Sequence, residues 1–498
     1  MRNLVTIFGV FLKSVPIQSS AAAIFVILSF SAPASVLACD QLDKPNIIHI
    51  MLDEWGYFEW SKMKHPILET PNIDQLAEEG MMFTQFLAGN NVCASTRSSL
   101  MTGQHAGHTP IRSNGPRDII ADSEVTIAEV LKEAGYATGG FGKWGLGDRG
   151  TTGVPEKQGF DIFYGYYNQI HAHGYFPEFL IKNSKIIPLD GNTGHYYEGN
   201  TFSHTLIYNQ SVQFIKENKD KPFYAYLAYT PPHGYWGFDK TDPSWQKYKD
   251  EDWGGKNQRG DRDGETYAAM VEMMDRQIGE IMQLLIDLDI DDNTIVVLSG
   301  DNGGQDYFKN EKHPHGVLAP NLNPVTGERF RGGKRELYEG GLRIPFAVRW
   351  PGKIAFSSSN DHLGYFPDLM PTFAEFAGLN KPATTDGLSI VPTLLGKNKA
   401  QEQHEYLYWE DGGSRAIRIK NWKAISHNNG PFELYNLNID IQEKKNIATQ
   451  HLEIVTKMKN FATLAHEEPR FGEILDENLL FDTRLSILKG KGIEDNNE

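Results

Sequence analysis

The sequence predicts an α/β fold, a doubly wound, mostly parallel sheet with helices on both faces, followed by a smaller C-terminal α+β domain. Three observations predict it. Short β-rich apolar runs alternate with helical stretches between residues 46 and 299. Asp53, Lys143, His233 and Asp301 each follow such a run by a few residues, which is where ligands gather beyond the carboxyl ends of strands in open α/β sheets. After about residue 400 the pattern changes to closely spaced strand-like segments. At 498 residues the chain exceeds what one hydrophobic core usually supports. The expected division is a leader over 1–38, an α/β domain over 39–400 and a smaller domain over 401–498.

Taken in order, residues 1–38 contain no acid and place the apolar run Ala21 to Phe30 before small residues, the pattern of a secretory leader. The leader ends Ser35-Val36-Leu37-Ala38-Cys39, which is similar to a bacterial lipoprotein cleavage box with Cys39 as the lipidated residue; plain cleavage is the alternative. An exported protein follows, periplasmic or anchored to a membrane. Asn46 to Leu52 is the kind of run that fills the middle of a parallel sheet. Thr70 to Gly80 reads as a short capped helix ended by glycine. Ser123 to Ala134 reads as another, with Ser123 or Thr126 as cap and Ile127, Val130, Leu131 and Ala134 facing inward. A strand is expected over Ala137 to Phe141, a helix over Thr205 to Lys219 and a strand over Pro222 to Tyr229. Tyr267 to Leu288 carries the clearest helical period, and Thr294 to Ser299 is a buried strand. Tyr406 to Glu410 and Ala416 to Lys420 look like antiparallel strands, followed by Trp422-Lys423 and Glu433 to Leu437. The polar end, Lys489 to Glu498, is expected to fray.

Composition narrows the function. The chain is 40% hydrophobic and 22% charged, as in ordinary globular proteins. Its net charge of -16 falls to -18 once the leader's Arg2 and Lys13 are removed. That balance argues against a nucleic-acid partner, although one basic pocket can still hold an anion. Such a pocket is suggested by Val92 to Gly103. If this stretch opens a helix, Cys93 and Arg97 project from one face, and the free N-H groups of the helix start favour an anion beside them.

The string Cys93-x-x-x-Arg97-x-x-Leu100-x-Thr102-Gly103 resembles the signature of the formylglycine-dependent sulfatases. Asn46-Ile47-Ile48, Thr70-Pro71-Asn72-Ile73-Asp74, Gly142-Lys143-Trp144, Pro231-Pro232-His233, Asp301-Asn302-Gly303, Arg331-Gly332-Gly333-Lys334, Glu339 to Pro345 and Glu433 to Leu437 extend the resemblance over nearly all of the mature chain. The family implies an alkaline-phosphatase-like fold and hydrolysis of sulfate esters. Its Cys is oxidised by a formylglycine-generating maturation enzyme to an aldehyde whose hydrate attacks sulfur. Matched position by position, Asp53, Glu54, Asp301 and Asn302, with the modified Cys93, would hold a divalent metal, usually calcium, through hard oxygen donors. Arg97 would orient the hydrate, Lys143 and Lys334 would bind sulfate oxygens, and His233 would hold sulfate or protonate the leaving oxygen.

Three positions depart from the family pattern. Glu54 stands where a second Asp is common, Ser95 where the maturation motif has Pro or Ala, and Gly145 where the family has His after Gly-Lys-Trp. The segment Gln169 to Tyr175 offers His171 and His173 as replacement imidazoles that would bind substrate, a combination similar to a subgroup of bacterial polysaccharide sulfatases. With Tyr, Trp and His residues between Tyr164 and Tyr197 and around Tyr235-Trp236 as a stacking surface, the expected substrate is a sulfated oligo- or polysaccharide such as carrageenan or another galactan. Two other readings stand beside it. One is a phosphate or phosphonate ester hydrolase of the same superfamily, for which several His ligands and a Ser or Thr nucleophile are expected. The other is a non-catalytic glycan-binding protein that keeps the Cys93 thiol.

Overall fold

The computed structural model describes residues 44–115, 119–253, 263–480 and 483–484. The leader, Cys39 and the polar C-terminal end lie outside the described residues. The strands in chain order begin β1 (Asn46–Leu52), β2 (Met81–Phe83), β3 (Phe86–Leu87), β4 (Ala137–Lys143), β5 (Ile162–Tyr166), β6 (Phe179–Lys182), β7 (Lys185–Pro188) and β8 (Phe223–Tyr229). They continue with β9 (Thr294–Gly300), β10 (Phe346–Arg349), β11 (Ser358–Asn360), β12 (Gly364–Tyr365), β13 (Leu407–Asp411), β14 (Ser414–Ile419), β15 (Trp422–Ser426) and β16 (Phe432–Asn436). The helices are α1 (Pro71–Glu78), α2 (Cys93–Thr102), α3 (Ile127–Glu133), α4 (Ser203–Asn218), α5 (Pro243–Tyr248) and α6 (Asp263–Asp287), then α7 (Glu339–Leu342), α8 (Leu369–Phe376), α9 (Val391–Leu394) and α10 (Leu452–Leu464).

Ten strands form one sheet in the order β11-β2-β10-β9-β1-β8-β4-β5-β6-β7. Its centre, β9-β1-β8-β4-β5, is parallel, whereas β10, β6 and β7 pair antiparallel to their neighbours. The predicted mostly parallel sheet is therefore present, with antiparallel strands toward its margins. β1 is buried along its whole length. Ile48, Ile50 and Leu52 join one core with inward residues of α1, α4 and α6, while Ile47 and Met51 join the opposite core with α3 and α8. This is the period-2 alternation of a strand covered on both faces.

Element boundaries follow local chemistry. α3 starts at Ile127, later than Ser123, because Thr126 closes a capping box: its Oγ1 accepts the Glu129 N-H at 3.3 Å and the Glu129 carboxylate accepts the Thr126 N-H at 2.8 Å. The Thr126→Ala variant is expected to lose about 1 kcal/mol of stability, read as a lower urea midpoint with an unchanged slope. Thr70 makes no side-chain cap to α1; instead Asp275 of α6 accepts the Ile73 N-H at 2.8 Å and the Asn72 amide at 2.6 Å. β4 runs two residues past the expected Phe141 and delivers Lys143 to the sheet's carboxyl edge.

The C-terminal strands form an antiparallel meander, β13-β14-β15-β16. Leu407, Trp409, Ala416, Ile425 and Tyr435 face Leu87, Leu337, Tyr338, Leu342 and Tyr365. Tyr408, Ile417, Ala424 and Leu434 lie under Met458 and Ala462 of α10. One face of this small sheet thus packs on the elements around the ten-stranded sheet, and α10 covers the other. No described helix is long and apolar enough to cross a membrane.

Candidate active site

Three turns leaving the parallel strands, together with the start of α2, converge on one buried centre. β1 ends at Leu52 and presents Asp53; β4 ends with Lys143; β9 ends at Gly300 and presents Asp301 and Asn302. α2 begins at Cys93 with Val92 as an extended N-cap and ends at Gly103 in the left-handed conformation that favours glycine. All ten residues of α2 are buried, so its polar residues must find partners within the protein.

Arg97 does so by donating to the Lys143 carbonyl at 2.6 Å and contacting Asp53 Oδ2 at 3.2 Å and Asp301 Oδ2 at 3.3 Å. Lys143 Nζ lies 2.6 Å from Asp53 Oδ2. Asp301 Oδ1 accepts the Glu54 backbone N-H at 3.0 Å. Cys93 Sγ is 3.4 Å from Asp53 Oδ1 and 3.1 Å from Lys334 Nζ. Lys334 also pairs closely with Glu54 Oε1, which lies 3.3 Å from His233 Nε2.

The electrostatics follow from burial and these contacts. Burial, and after it Asp53, push the Cys93 thiol up to about 12, so an unmodified Cys93 is a neutral thiol near pH 7. Burial opposes the charge of Asp53, but Lys143, His233, Arg97 and Lys334 hold its carboxyl well below the ordinary range. Burial and the neighbouring Asp53 raise Asp301 to about 6. Burial opposes a charged Lys334 too, yet Cys93, Glu54 and Asp53 keep it well above the usual lysine value. Burial draws His233 well below the usual imidazole value.

Asp53, Asp301 and Asn302 fit a hard divalent cation. Two buried carboxylates face the centre, and Asn302 Oδ1 is a buried oxygen with no hydrogen-bond partner. Asp53, Cys93 and His233 also bring ligand atoms within 4.8 Å of one another. Glu54 differs: its Oε1 meets Lys334 and His233, and its Oε2 accepts the Tyr307 hydroxyl at 2.9 Å. Its longer arm, from a backbone at φ 62°, reaches the basic side of the site.

The two candidate imidazoles part company. The His173 ring stacks on His233 with centroids 4.7 Å apart. His171 turns away, with Nε2 2.9 Å from the Phe179 carbonyl and its ring against Tyr166 and Phe179. Of the predicted substrate-binding pair, the structure brings only His173 to the centre, because a tight 3-10 turn over His171–His173 sends the two rings in different directions. Gln169 occupies the space over Gly145: a Cβ there would meet Gln169 Nε2 at 1.9 Å, and Gly145 sits at φ +82°. Tyr307 and Gln169 were not singled out from sequence, although the missing imidazole at Gly145 signals that another side chain fills its space. Tyr175, whose hydroxyl donates to the His233 carbonyl at 2.8 Å, fixes that loop.

A second cluster, His105, His108 and Asp386, also brings possible ligand atoms within 4.8 Å. There His105 Nδ1 accepts the Gly107 N-H at 3.1 Å, which leaves the proton on Nε2, and His108 Nδ1 bonds Asp386 directly at 2.9 Å. This cluster ties the segment after α2 to the loop carrying Asp386.

Comparison with known proteins agrees with this geometry. The Sulfatase family profile matches residues 45–379, and the profile for N-sulphoglucosamine sulphohydrolase, C-terminal, matches residues 327–467. N-acetylgalactosamine-6-sulfatase of Canis lupus familiaris is 31% identical over 436 residues, covering 81% of this chain and 76% of the dog protein. N-acetylgalactosamine-6-O-sulfatase of Bacteroides thetaiotaomicron is 29% identical, covering 83% of this chain and 92% of its own. Among solved structures, Ps i-CgsB in complex with k-i-k-neocarrahexaose superposes with a TM-score of 0.71 at 26% identity, covering 89% of this chain and 98% of that one.

Proposed function

Because the chain belongs to the sulfatase family and is a sulfuric ester hydrolase, we propose that it removes sulfate from a sulfated glycan, a galactan such as carrageenan or a related polysaccharide, as an exported protein whose Cys93 is converted to formylglycine. The observation that carries this reading is the convergence of Cys93 with two buried lysines, Lys143 and Lys334, and with Arg97 at the carboxyl edge of the sheet. The substrate class draws support from relatives that are N-acetylgalactosamine sulfatases and from the neocarrahexaose held by Ps i-CgsB. Tyr196 and Tyr235, whose rings lie 4.4 Å apart beside His173, offer an aromatic flank for a sugar ring.

As formylglycine, Cys93 supplies on hydration one oxygen to attack sulfur and a second through which sulfate is later released. The remaining work falls to this chain's own groups. Lys143 and Lys334 hold the sulfate oxygens and offset charge in a site where water screening is weak. Arg97 locks the Lys143 carbonyl against Asp53 and Asp301, so the ammonium keeps its aim. Asp301, at the same buried centre as Cys93, is placed to take the proton of the attacking hydroxyl. His233, which burial keeps neutral, holds a sulfate oxygen through its ring N-H, and the anionic substrate favours the protonated ring that can donate to the ester oxygen as the S-O bond breaks, while His173 stacks behind it. Asp53, Asp301 and Asn302 would hold a divalent ion through hard oxygen donors, calcium by the family resemblance, whose charge would lower the cost of placing a sulfate beside carboxylates.

The test compares the sulfate and phosphate esters of one aryl alcohol alongside sulfated galactan oligosaccharides. Sulfate release from the aryl sulfate and a glycan, with no matching phosphate release, is expected. Preferential phosphate release overturns the reaction class; aryl sulfate turnover without any glycan turnover overturns the substrate class. Lys334→Ala is expected to lower kcat/KM for the sulfate by about 10²-fold or more.

A further inference from the structure

An open pocket of about 370 Å³ lies between the margin of the ten-stranded sheet and the C-terminal meander. Gln85, which follows β2, and Asn360, the last residue of β11, line one wall; Lys420 and Asn421, in the turn between β14 and β15, line the other. β11 runs parallel to β2, and β2 and β9 are both antiparallel to β10. The ends of β2 and β11 therefore point the same way as those of β1 and β9, toward the edge that carries Asp53 and Asp301. Three to four strand spacings of about 4.8 Å place the pocket roughly 15–20 Å from Cys93 along that edge.

The lining side chains are polar apart from Leu363. His362 is only 7% exposed. Its Nδ1 accepts the Gln403 amide at 3.3 Å, so the proton sits on Nε2, and that buried N-H has no hydrogen-bond partner. Lys420, exposed and held at φ 51°, makes no ion pair among the described residues. Arg418 stands at the pocket wall with Nη2 2.5 Å from Gln85 Oε1. Asp361 is the one carboxylate among the lining residues. Side-chain amides able both to donate and to accept, together with the exposed Lys420 ammonium, suit a sugar ring bearing an anionic group.

We propose that this pocket is a secondary binding site for a sulfated sugar of the same glycan chain whose ester is cleaved at Cys93. The proposal rests on the glycan reading given above. A chain long enough to reach both places gains affinity from the second contact, whereas a small ester gains none.

The variant Lys420→Glu with Asn421→Ala changes only exposed or half-exposed side chains. In a Cys93→Ala background, its affinity for a neocarrageenan hexasaccharide, read by titration calorimetry, is expected to fall about tenfold. In the mature enzyme the same pair should raise KM for the polysaccharide by a similar factor and leave kcat/KM for an aryl sulfate unchanged. Equal hexasaccharide affinity with and without the two changes, or no hexasaccharide binding to the Cys93→Ala protein, overturns the pocket's role. Failure of the glycan reading is seen separately, as aryl sulfate turnover by unaltered enzyme with no sulfate released from any glycan.

Discussion

Replacing Cys93 with alanine is expected to lower kcat for sulfate ester hydrolysis by about 10⁴-fold or more, to the background that binding and charge alone provide. The reason is local. Cys93 opens α2 at the point where Lys334 and Asp53 approach it to 3.1 and 3.4 Å, and the neighbouring hydroxyls are already engaged. Ser95 Oγ donates to the Val92 carbonyl at 3.1 Å. Thr96 Oγ1 donates to the Asp301 carbonyl at 2.9 Å and accepts the Gly89 and Asn90 N-H groups. Neither is placed to replace the lost group. Burial pushes the thiol itself up to about 12, so an unmodified Cys93 would carry little thiolate at neutral pH and would be a weak nucleophile. Peptide mass measurement across residue 93 in protein from the native host should show a species lighter than the thiol form, despite Ser95 in the maturation motif. Retained activity in Cys93→Ala removes this residue from the reaction. An intact thiol together with glycan binding and no turnover supports the non-catalytic alternative.

The parallel centre of the sheet was legible because a strand buried on both faces must be apolar along its length. Asn46 to Leu52 and Thr294 to Ser299 are such runs, and their position fixed where Asp53 and Asp301 had to lie. The margins were not legible. Met81–Phe83 and Ser358–Asn360 have three residues each, too few to show a period, and Ile162–Tyr166 includes a glycine that weakens any strand signal. At the site, position after a strand identified Asp53, Lys143, His233 and Asp301. What no local pattern supplied were partners brought in by folding: Tyr307 reaches Glu54 across 253 residues. His171 and His173 share a sequence word and differ only in where one tight turn points them. The Glu339-Gly340-Gly341-Leu342-Arg343 word was visible as part of the family resemblance, but its physical role was hidden until its partners were seen.

Those partners make Glu339 the site of the largest expected stability loss. Its buried carboxylate accepts Arg343 Nε and Nη2 at 2.9 and 2.7 Å and Lys423 Nζ at 3.0 Å, and Arg418 Nη1 forms an ion pair with it at 3.5 Å. Its own backbone N-H donates to Glu443 at 2.7 Å, and Glu443 returns to Lys423 at 3.1 Å. Arg418 and Lys423 belong to the C-terminal meander and Glu339 to α7, so one carboxylate joins the two. Glu339→Gln keeps the shape and removes the charge, leaving three buried cations undercompensated; a loss of about 3–5 kcal/mol is expected. Burial opposes the charge of Glu339, but Lys423, Arg343 and Arg418 hold its carboxyl well below the ordinary glutamate value. Its folded-state value is thus depressed, so its contribution is fully present above the ordinary glutamate pKa and fades as pH falls toward the folded-state value. Urea melts of the two proteins should differ most near neutral pH and converge in acid. A gap that stays constant from neutral to strongly acid pH, or one below about 1 kcal/mol at pH 7, contradicts a charged carboxylate as the joint. If Lys423→Met in the Glu339→Gln background restores part of the loss, the cost is traced to the stranded cation and not to lost packing.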